Sequence, residues 1–198
     1  MCIKTENINL DINNNSILED VTITLNRGEM VGLIGPNGAG KTSLLKCILG
    51  LLEVKSGSIS VDNKNIDDLI LKERAKKMAY FAQGAPIYWP LTVENVVGLG
   101  RVPHLNQWQK ISEDDEKIIE SAMEKTNCIS LKGRLVTSLS GGERARVLLA
   151  RALATRAPYI MADEPVASLD PAHQLQVMEI LKKLSKNNNG VMVVMHDL

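Results

Sequence analysis

The sequence contains few aromatic residues, no excess charge of either sign and no long apolar run. Its 23 basic and 23 acidic side chains cancel, so the chain offers no electrostatic footprint for nucleic acid. The longest apolar runs, such as residues 191–195, are far below the ~20 residues of a membrane-spanning helix. The three cysteines form no C-x-x-C pair, which excludes a disulfide framework and fits a reducing cytosol. Residues 1–10 mix charged and apolar side chains, so we expect no secretion signal.

The remaining composition is that of a globular protein. The 198 residues are 44% apolar and 23% charged, which predicts one domain or two small ones. Strand-like runs alternate with helical patterns, an order typical of an α/β fold with a mostly parallel sheet. A helical insert at about 85–140 interrupts it. The predicted strands are 21–25, 30–34, 58–61, 78–81, 159–163 and 191–195, and the predicted helices are 43–49, 71–77, 112–126, 142–155 and 170–186.

A glycine-rich loop lies between the predicted strand at 30–34 and the helix that follows it. It matches the pattern G-x-x-x-x-G-K-[ST], and the strand–loop–helix context is what this motif requires. Glycines let the backbone wrap closely around phosphate oxygens, which the loop N–H groups and the helix N-terminus attract. We therefore predict a nucleotide site with a lysine on the phosphates and a threonine on Mg²⁺. Its residues are Gly35, Pro36, Asn37, Gly38, Ala39, Gly40, Lys41, Thr42 and the following Ser43.

Two adjacent carboxylates, Asp163 and Glu164, follow the apolar strand at 159–163. Ligands of open parallel sheets bind at the carboxyl ends of the strands, beside the predicted phosphate loop. Asp163 is a candidate for Mg²⁺ binding and Glu164 for polarising an attacking water. Taken alone, such a pair is equally compatible with solvated loop charges or a helix cap.

A third candidate is the turn at 139–143, which precedes a helix rich in arginine. A Ser-Gly-Gly turn at a helix start is by itself usually a flexible cap. Its hydroxyl, its close-approach glycines and the helix N-terminus could also bind an anion, through Ser140 and Gly142.

Further positions complete an ordered set of motifs. Gln83 follows the strand at 78–81, Ser168-Leu169-Asp170 follows the carboxylate pair, and His196 follows the last predicted strand. With the phosphate loop, the carboxylate pair and the 139–143 turn, the chain from about residue 8 resembles the nucleotide-binding subunits of ABC (ATP-binding cassette) ATPases. Alone, Gln83 would be read as a surface residue and His196 as a strand-end histidine.

The resemblance implies a P-loop NTPase (RecA-like) fold with a mostly parallel core sheet, an antiparallel β subdomain and the helical insert. It implies one nucleotide-binding domain, with a catalytic core at 1–84 and 141–198 and a helical subdomain at 85–140. His196 matches the switch histidine of the family. Because such cassettes continue past that histidine, we expect a C-terminally truncated cassette. The implied cofactors are ATP and Mg²⁺, and the implied place is the cytoplasmic face of the cell membrane.

Roles and partners also follow from the resemblance. Glu164 would be the catalytic carboxylate and His196 a contact of the γ-phosphate. Gln83 would be a catalytic residue and metal ligand that links the nucleotide site to an integral membrane permease. Two subunits, expected to be identical, would pair head to tail. Each ATP would then lie between Lys41 of one subunit and the 139–143 turn of the other, with Asp170 close by. A substrate-binding protein would act indirectly, and no nucleic acid is expected.

One feature departs from the family pattern. Family members stack an aromatic on the adenine from the segment before the first strand, whereas residues 9–16 here contain none. Ile12 lies about where that aromatic is expected. An aliphatic contact stacks less well, which predicts weaker or less selective base binding.

The kind of ABC protein is indicated by residues 99–104, by Thr92-Val93 and by residues 139–154. These are similar to segments in ATPases that power importers of iron chelates, haem and cobalamin. Arg101 and His104 could bind a ligand or cap a loop between helices. The alternatives are a soluble ABC ATPase without a transport role and a non-catalytic scaffold. Intact Lys41, Asp163, Glu164 and His196 argue against the scaffold.

Five of the six aromatic residues fall between 80 and 108. They form either a small core or an apolar groove for a membrane partner's helix. The two readings stay open for Tyr80, Phe81, Tyr88, Trp89 and Trp108, and Tyr88 and Trp89 are the best docking candidates.

Overall fold

A computed structural model describes residues 1–82, 89–166 and 169–195 of the chain. In chain order the strands are β1 (Cys2–Ile12), β2 (Asn15–Asn26), β3 (Met30–Ile34), β4 (Ser56–Val61), β5 (Lys64–Asn65), β6 (Met78–Ala82), β7 (Tyr159–Asp163) and β8 (Gly190–Met195). The α-helices are α1 (Lys41–Ile48), α2 (Leu71–Lys77), α3 (Val93–Gly98), α4 (Glu113–Lys125), α5 (Gly141–Ala154) and α6 (Pro171–Lys186). Each helix and strand predicted from the sequence is present. The bounds shift by a few residues at most, except that the strand predicted at 21–25 is the second half of the longer β2.

The core sheet has the strand order β3-β8-β7-β6, and every neighbouring pair in it is parallel. Strand β7 is buried along its whole length, as is β8 up to its last residue, because helices cover both faces of the sheet. Helix α1 packs on one face through Leu44, Leu45 and Ile48. Helices α5 and α6 pack on the other face through residues such as Leu149 and Leu181. The predicted mostly parallel α/β core is therefore confirmed.

The second sheet is antiparallel, with the order β2-β1-β4-β5. Asn13 and Asn14 close the β1–β2 hairpin with φ angles of 51° and 64°, the left-handed pair that a type I′ turn requires. Residues 9–16, placed by the sequence before the first strand, therefore belong to β1, this turn and the start of β2, which corrects that expectation. The antiparallel subdomain implied by the resemblance is present.

Between the two halves of the core sheet the chain forms a helical region with its own apolar cluster. Val97 of α3, Met123 of α4 and Val147 of α5 are fully buried in it. The 3₁₀ segment Leu99–His104 follows α3 and is hydrogen-bonded to the end of α5. Arg101 Nε donates to Asp115 Oδ1 at 2.8 Å, and its Nη1 donates to the Ala154 carbonyl at 2.8 Å.

The structure thus assigns Arg101 and His104 to internal contacts. A ring nitrogen of His104 lies 2.8 Å from the Thr155 carbonyl oxygen, and burial lowers the pKa of this histidine. Of the clustered aromatics, Phe81 is buried and Tyr80 half-buried, whereas Trp89 and Trp108 are exposed. Tyr88 lies outside the described residues. None of the helices in the described part is both long and apolar enough to cross a bilayer.

Candidate functional site

The phosphate loop connects β3 to α1, and Gly40 is the N-cap of the helix. Gly38 and Gly40 have φ angles of 82° and 81°, a left-handed conformation that costs glycine nothing. A Cβ on Gly40 would lie 2.8 Å from the Ile17 carbonyl oxygen, so the loop packs closely against the start of β2. Beside the loop is a cavity of about 290 Å³. Its lining residues are Ile17, Asn37, Gly38, Ala39, Gly40, Lys41, Thr42, Ser43 and Glu164.

Lys41 lies across its own loop. Its ammonium group donates to the carbonyl oxygens of Gly35 at 2.6 Å and Pro36 at 2.8 Å. Gly35 and Pro36 therefore orient the lysine and are not among the residues that line the cavity. The first turn of α1 carries no acidic residue. The lysine and the free N–H groups of the helix start together favour an anion here.

Asp163 ends β7 directly behind the first turn of α1. Thr42 Oγ1 donates to its Oδ1 at 2.8 Å, and the Tyr80 hydroxyl donates to its Oδ2 at 3.0 Å. Asp163 is 9% exposed. The part of the chain that the structure describes holds no group of three or more His, Cys, Asp or Glu placed to bind a metal. Mg²⁺ combines one or two protein oxygens with waters and phosphate oxygens, so the Thr42–Asp163 pair fits magnesium delivered with a nucleotide.

Glu164 follows Asp163 with a φ of 49°, and its backbone N–H donates to the Val194 carbonyl at 3.1 Å. This left-handed turn ends the strand and brings Glu164 to the wall of the cavity that Lys41 and Thr42 also line. A carboxylate beside the phosphate loop can accept a proton from a water or polarise it. The sequence pair Asp163-Glu164 is therefore split between a buried position and a cavity wall.

The 139–143 turn forms a separate site. Ser140 is the N-cap of α5: its hydroxyl accepts from the Glu143 N–H at 3.3 Å, and its own N–H donates to Glu143 Oε2 at 2.8 Å. This backbone bond is the main reason that the pKa of Glu143 is lowered. The ring of His173 lies beside Gly142, at 3.6 Å from the position of a Cβ. His173 also contacts Asp170, through Nδ1 at 2.5 Å and the backbone N–H at 3.1 Å.

Within one chain the predicted site residues thus fall into two groups. The phosphate loop, Asp163 and Glu164 form the first group. In the second, Gly142 and Asp170 lie beside His173, and Ser140 precedes Gly142 at the start of α5. The second group contributes nothing to the lining of the phosphate cavity.

Residues 18–167 match the profile of the ABC transporter family, which is most of the chain. The chain belongs to the ABC transporter family. It is 37% identical over 199 residues to the cobalamin import ATP-binding protein BtuD of Halobacterium salinarum, covering 100% of this chain and 50% of that protein. It is 34% identical over 197 residues to the iron(3+)-hydroxamate import ATP-binding protein FhuC of Bacillus subtilis, covering 99% and 73%.

The fold comparison agrees with the sequence comparison. A bacterial ABC transporter cassette solved as a dimer superposes with a TM-score of 0.88 and 29% identity, covering 98% of this chain and 88% of that one. The resemblance to ABC ATPases and the P-loop NTPase fold are therefore confirmed. This ABC chain spans about half the length of BtuD and about three quarters of that of FhuC.

Some expected site residues of this ABC cassette lie outside the described residues. They are Gln83, Ser168 and His196. Ile12 lies within the described part, is 37% exposed and does not line the phosphate cavity, whereas Ile17 does. A contact between Ile12 and a base stays a prediction.

Tyr80 and His173 lie beside predicted site residues, and the sequence motifs assigned neither of them to the site. The sequence predicts Tyr80 only as part of a core or of a docking surface. Its position two residues before the end of a buried strand is the signal that could have placed it near the site at that end. The sequence motifs did not include His173, and its position three residues after the N-cap Asp170 is the signal that could have identified it.

Proposed function

We propose that the chain is the ATP-binding and ATP-hydrolysing cassette of an ABC transporter that imports metal chelates of the siderophore, haem or cobalamin type. The observation that carries the proposal is a cavity lined by the phosphate loop, with Lys41, Thr42 and Glu164 on its walls. Asp163 is hydrogen-bonded to Thr42 directly behind it. These groups supply a cation, a metal-binding oxygen pair and a general base, which are the parts that phosphoryl transfer to water needs.

In this proposal Lys41 and the N–H groups of the loop hold the β- and γ-phosphates. Thr42 and Asp163 hold Mg²⁺, with Gln83 as a further expected ligand. Bound magnesium would neutralise charge on the phosphate oxygens. Glu164 orients a water and accepts its proton, and His196 contacts the γ-phosphate. Hydrolysis itself releases phosphate and ADP.

The second group of site residues supports a head-to-tail dimer. Ser140 and the N-terminus of α5 form an anion-binding element, yet they contribute nothing to the phosphate cavity of their own chain. In a dimer of two copies each such element would close the cavity of the other copy, with Asp170 at the junction. The catalytic core at 1–84 and 141–198 would carry the phosphate cavity and α5, and the helical subdomain at 85–140 would end at Ser140 and position the start of that helix.

The import role rests on relatives whose names assign them to cobalamin and iron(3+)-hydroxamate import. The cassette would bind an integral membrane permease on the cytoplasmic face of the membrane. Trp89, 74% exposed beside the expected docking segment, is the described residue best placed for that contact. A substrate-binding protein would deliver the chelate from the other side.

The test compares three variants in nucleotide binding and phosphate release. Glu164→Gln keeps the size of the side chain and removes the base, so ATP binding should persist, an ATP-bound dimer should accumulate and hydrolysis should fall by about 10²-fold or more. Lys41→Ala should weaken nucleotide binding itself. Lys46→Ala, in the last turn of the same helix, is the matched control and should change neither.

Retained hydrolysis in Glu164→Gln would contradict the role of this carboxylate, and unchanged affinity in Lys41→Ala would contradict the phosphate site. The transport role needs its own measurement, which is co-purification with a polytopic membrane protein. Recovery with ribosomes or nucleic acid in its place would favour a soluble ABC ATPase.

A further inference from the structure

Tyr80 contacts Asp163, one of the two described residues proposed to hold magnesium, and does not line the phosphate cavity. It is the third residue of β6, and β6 pairs in parallel with β7 so that Tyr80 is opposite Met161 and Ala82 is opposite Asp163. Alternate residues of a strand share a face. The Tyr80 side chain therefore lies on the sheet face that α1 covers, and it reaches diagonally along the sheet to the end of β7. Its ring packs against the buried cluster that contains Leu45 and Met161.

The hydroxyl of Tyr80 donates to Asp163 Oδ2 at 3.0 Å, while Thr42 donates to Oδ1 at 2.8 Å. The two donors thus hold different oxygens of one carboxylate, and together they fix its rotation about the Cβ–Cγ bond. A tyrosine hydroxyl has one proton to donate, and in this bond it goes to the Asp163 carboxylate.

The orientation of Asp163 matters for Thr42. A threonine hydroxyl has one proton, and giving it to Oδ1 leaves the lone pairs of Oγ1 for a cation. If the carboxylate rotated, Thr42 would lose its acceptor and its hydroxyl would turn. Groups that hydrogen-bond to a metal ligand orient that ligand and influence the affinity for the metal.

We propose that Tyr80 is a positioning residue for magnesium: it holds Asp163 so that Thr42 and Asp163 together present oxygens to the ion bound with the nucleotide. This inference rests on the proposed function, since it concerns the metal of the same site. It adds a residue from β6, outside the phosphate loop and the β7 carboxylates, to the groups that determine metal affinity.

The chain contains a matched control. Tyr159, at the opposite end of β7, donates to Asp62 Oδ1 at 2.7 Å. Burial raises the pKa of Tyr159 to about 12, so this phenol is also protonated. The change Tyr159→Phe removes the same hydroxyl from the same kind of bond in the same sheet. It does so at the amino end of the strand, far from the phosphate loop.

The experiment measures Mn²⁺ binding to the purified full chain saturated with ADP, by electron paramagnetic resonance of the free ion. Mn²⁺ serves as the probe for magnesium, and no turnover is needed. For Tyr80→Phe we expect an affinity for Mn²⁺ about 10–100-fold lower than that of the unmodified chain, the range typical of a lost contact to a metal ligand. For Tyr159→Phe we expect no change. ADP affinity in EDTA should be the same in all three proteins.

Each other outcome has a defined meaning. Mn²⁺ affinity of Tyr80→Phe within twofold of the unmodified chain would overturn the assignment, as would an equal loss in Tyr159→Phe. Weaker ADP binding in EDTA would also overturn it, since the hydroxyl would then act on the loop. If the unmodified chain binds no ADP, the proposed function fails as well. Should Tyr80→Phe unfold in circular dichroism, Tyr80→Leu, which also lacks the hydroxyl, repeats the measurement.

Discussion

The phosphate loop contains two glycines with the same backbone conformation and different surroundings. Gly38 and Gly40 have φ angles of 82° and 81°, so alanine at either position pays the left-handed penalty of about 1–2 kcal/mol. A Cβ on Gly38 would meet nothing within 4 Å. On Gly40 it would lie 2.8 Å from the Ile17 carbonyl oxygen and 2.9 Å from Leu18 Cδ2. Because backbone cannot move aside cheaply, Gly40→Ala adds an overpacking cost of about 1–3 kcal/mol.

We therefore expect Gly38→Ala to lower the free energy of unfolding by about 1–2 kcal/mol and Gly40→Ala by about 2–5 kcal/mol. The assay is urea unfolding of the nucleotide-free chain, with the midpoint and the m-value compared between variants. The alanine substitutions affect the unfolded chain equally, so the difference between the two variants isolates the contact with β2. A difference below about 0.5 kcal/mol would refute the conclusion that β2 and the loop are in obligatory contact.

Two further predictions concern the buried pair of the helical region. Arg101→Met leaves Asp115, 7% exposed, without its guanidinium partner and should lower the free energy of unfolding by about 3 kcal/mol. Adding Asp115→Asn should restore part of that loss, and no restoration would count against the pair. The Ser112 hydroxyl and Arg101 lower the pKa of Asp115 to about 2, so the contribution of Asp115 to stability is present above the ordinary pKa of 3.8 and is lost as the pH falls toward 2. Urea midpoints of Asp115→Asn should therefore depend less on pH across that interval than those of the unmodified chain.

The sequence predicted best what depends on neighbouring residues. Ser112 and Asp115 form the capping box at the start of α4, as the Ser-x-x-Asp spacing predicts, and Asp170 followed by Pro171 begins α6. The phosphate loop is equally local, since its glycines, its lysine and the helix start lie within one short segment. These features need no information about the rest of the fold.

Strand β1 was missed because its alternation changes phase. Ile3 and Thr5 are buried at odd positions, whereas Ile8 and Leu10 are buried at even ones. The pairing with β2 shifts register between Thr5 and Ile8, and Asn7 has a φ of 49° there. A bulge of this kind inserts a residue into the strand, so a search for uninterrupted alternation fails.

By itself the sequence determined the α/β class, the order of most of the elements, the phosphate loop and the membership of the ABC family, because each is encoded in short-range patterns or in an ordered set of motifs. Only the tertiary structure decided which distant groups meet. Thr42 and Asp163 are 121 positions apart, Tyr80 and Asp163 are 83 apart, and Arg101 and Ala154 are 53 apart. Such contacts follow from the strand order β3-β8-β7-β6 and its register, which arise from packing both faces of one sheet at once. No local pattern carries that information, which is why the hydrogen bond from Tyr80 to Asp163 is evident only when the fold is known.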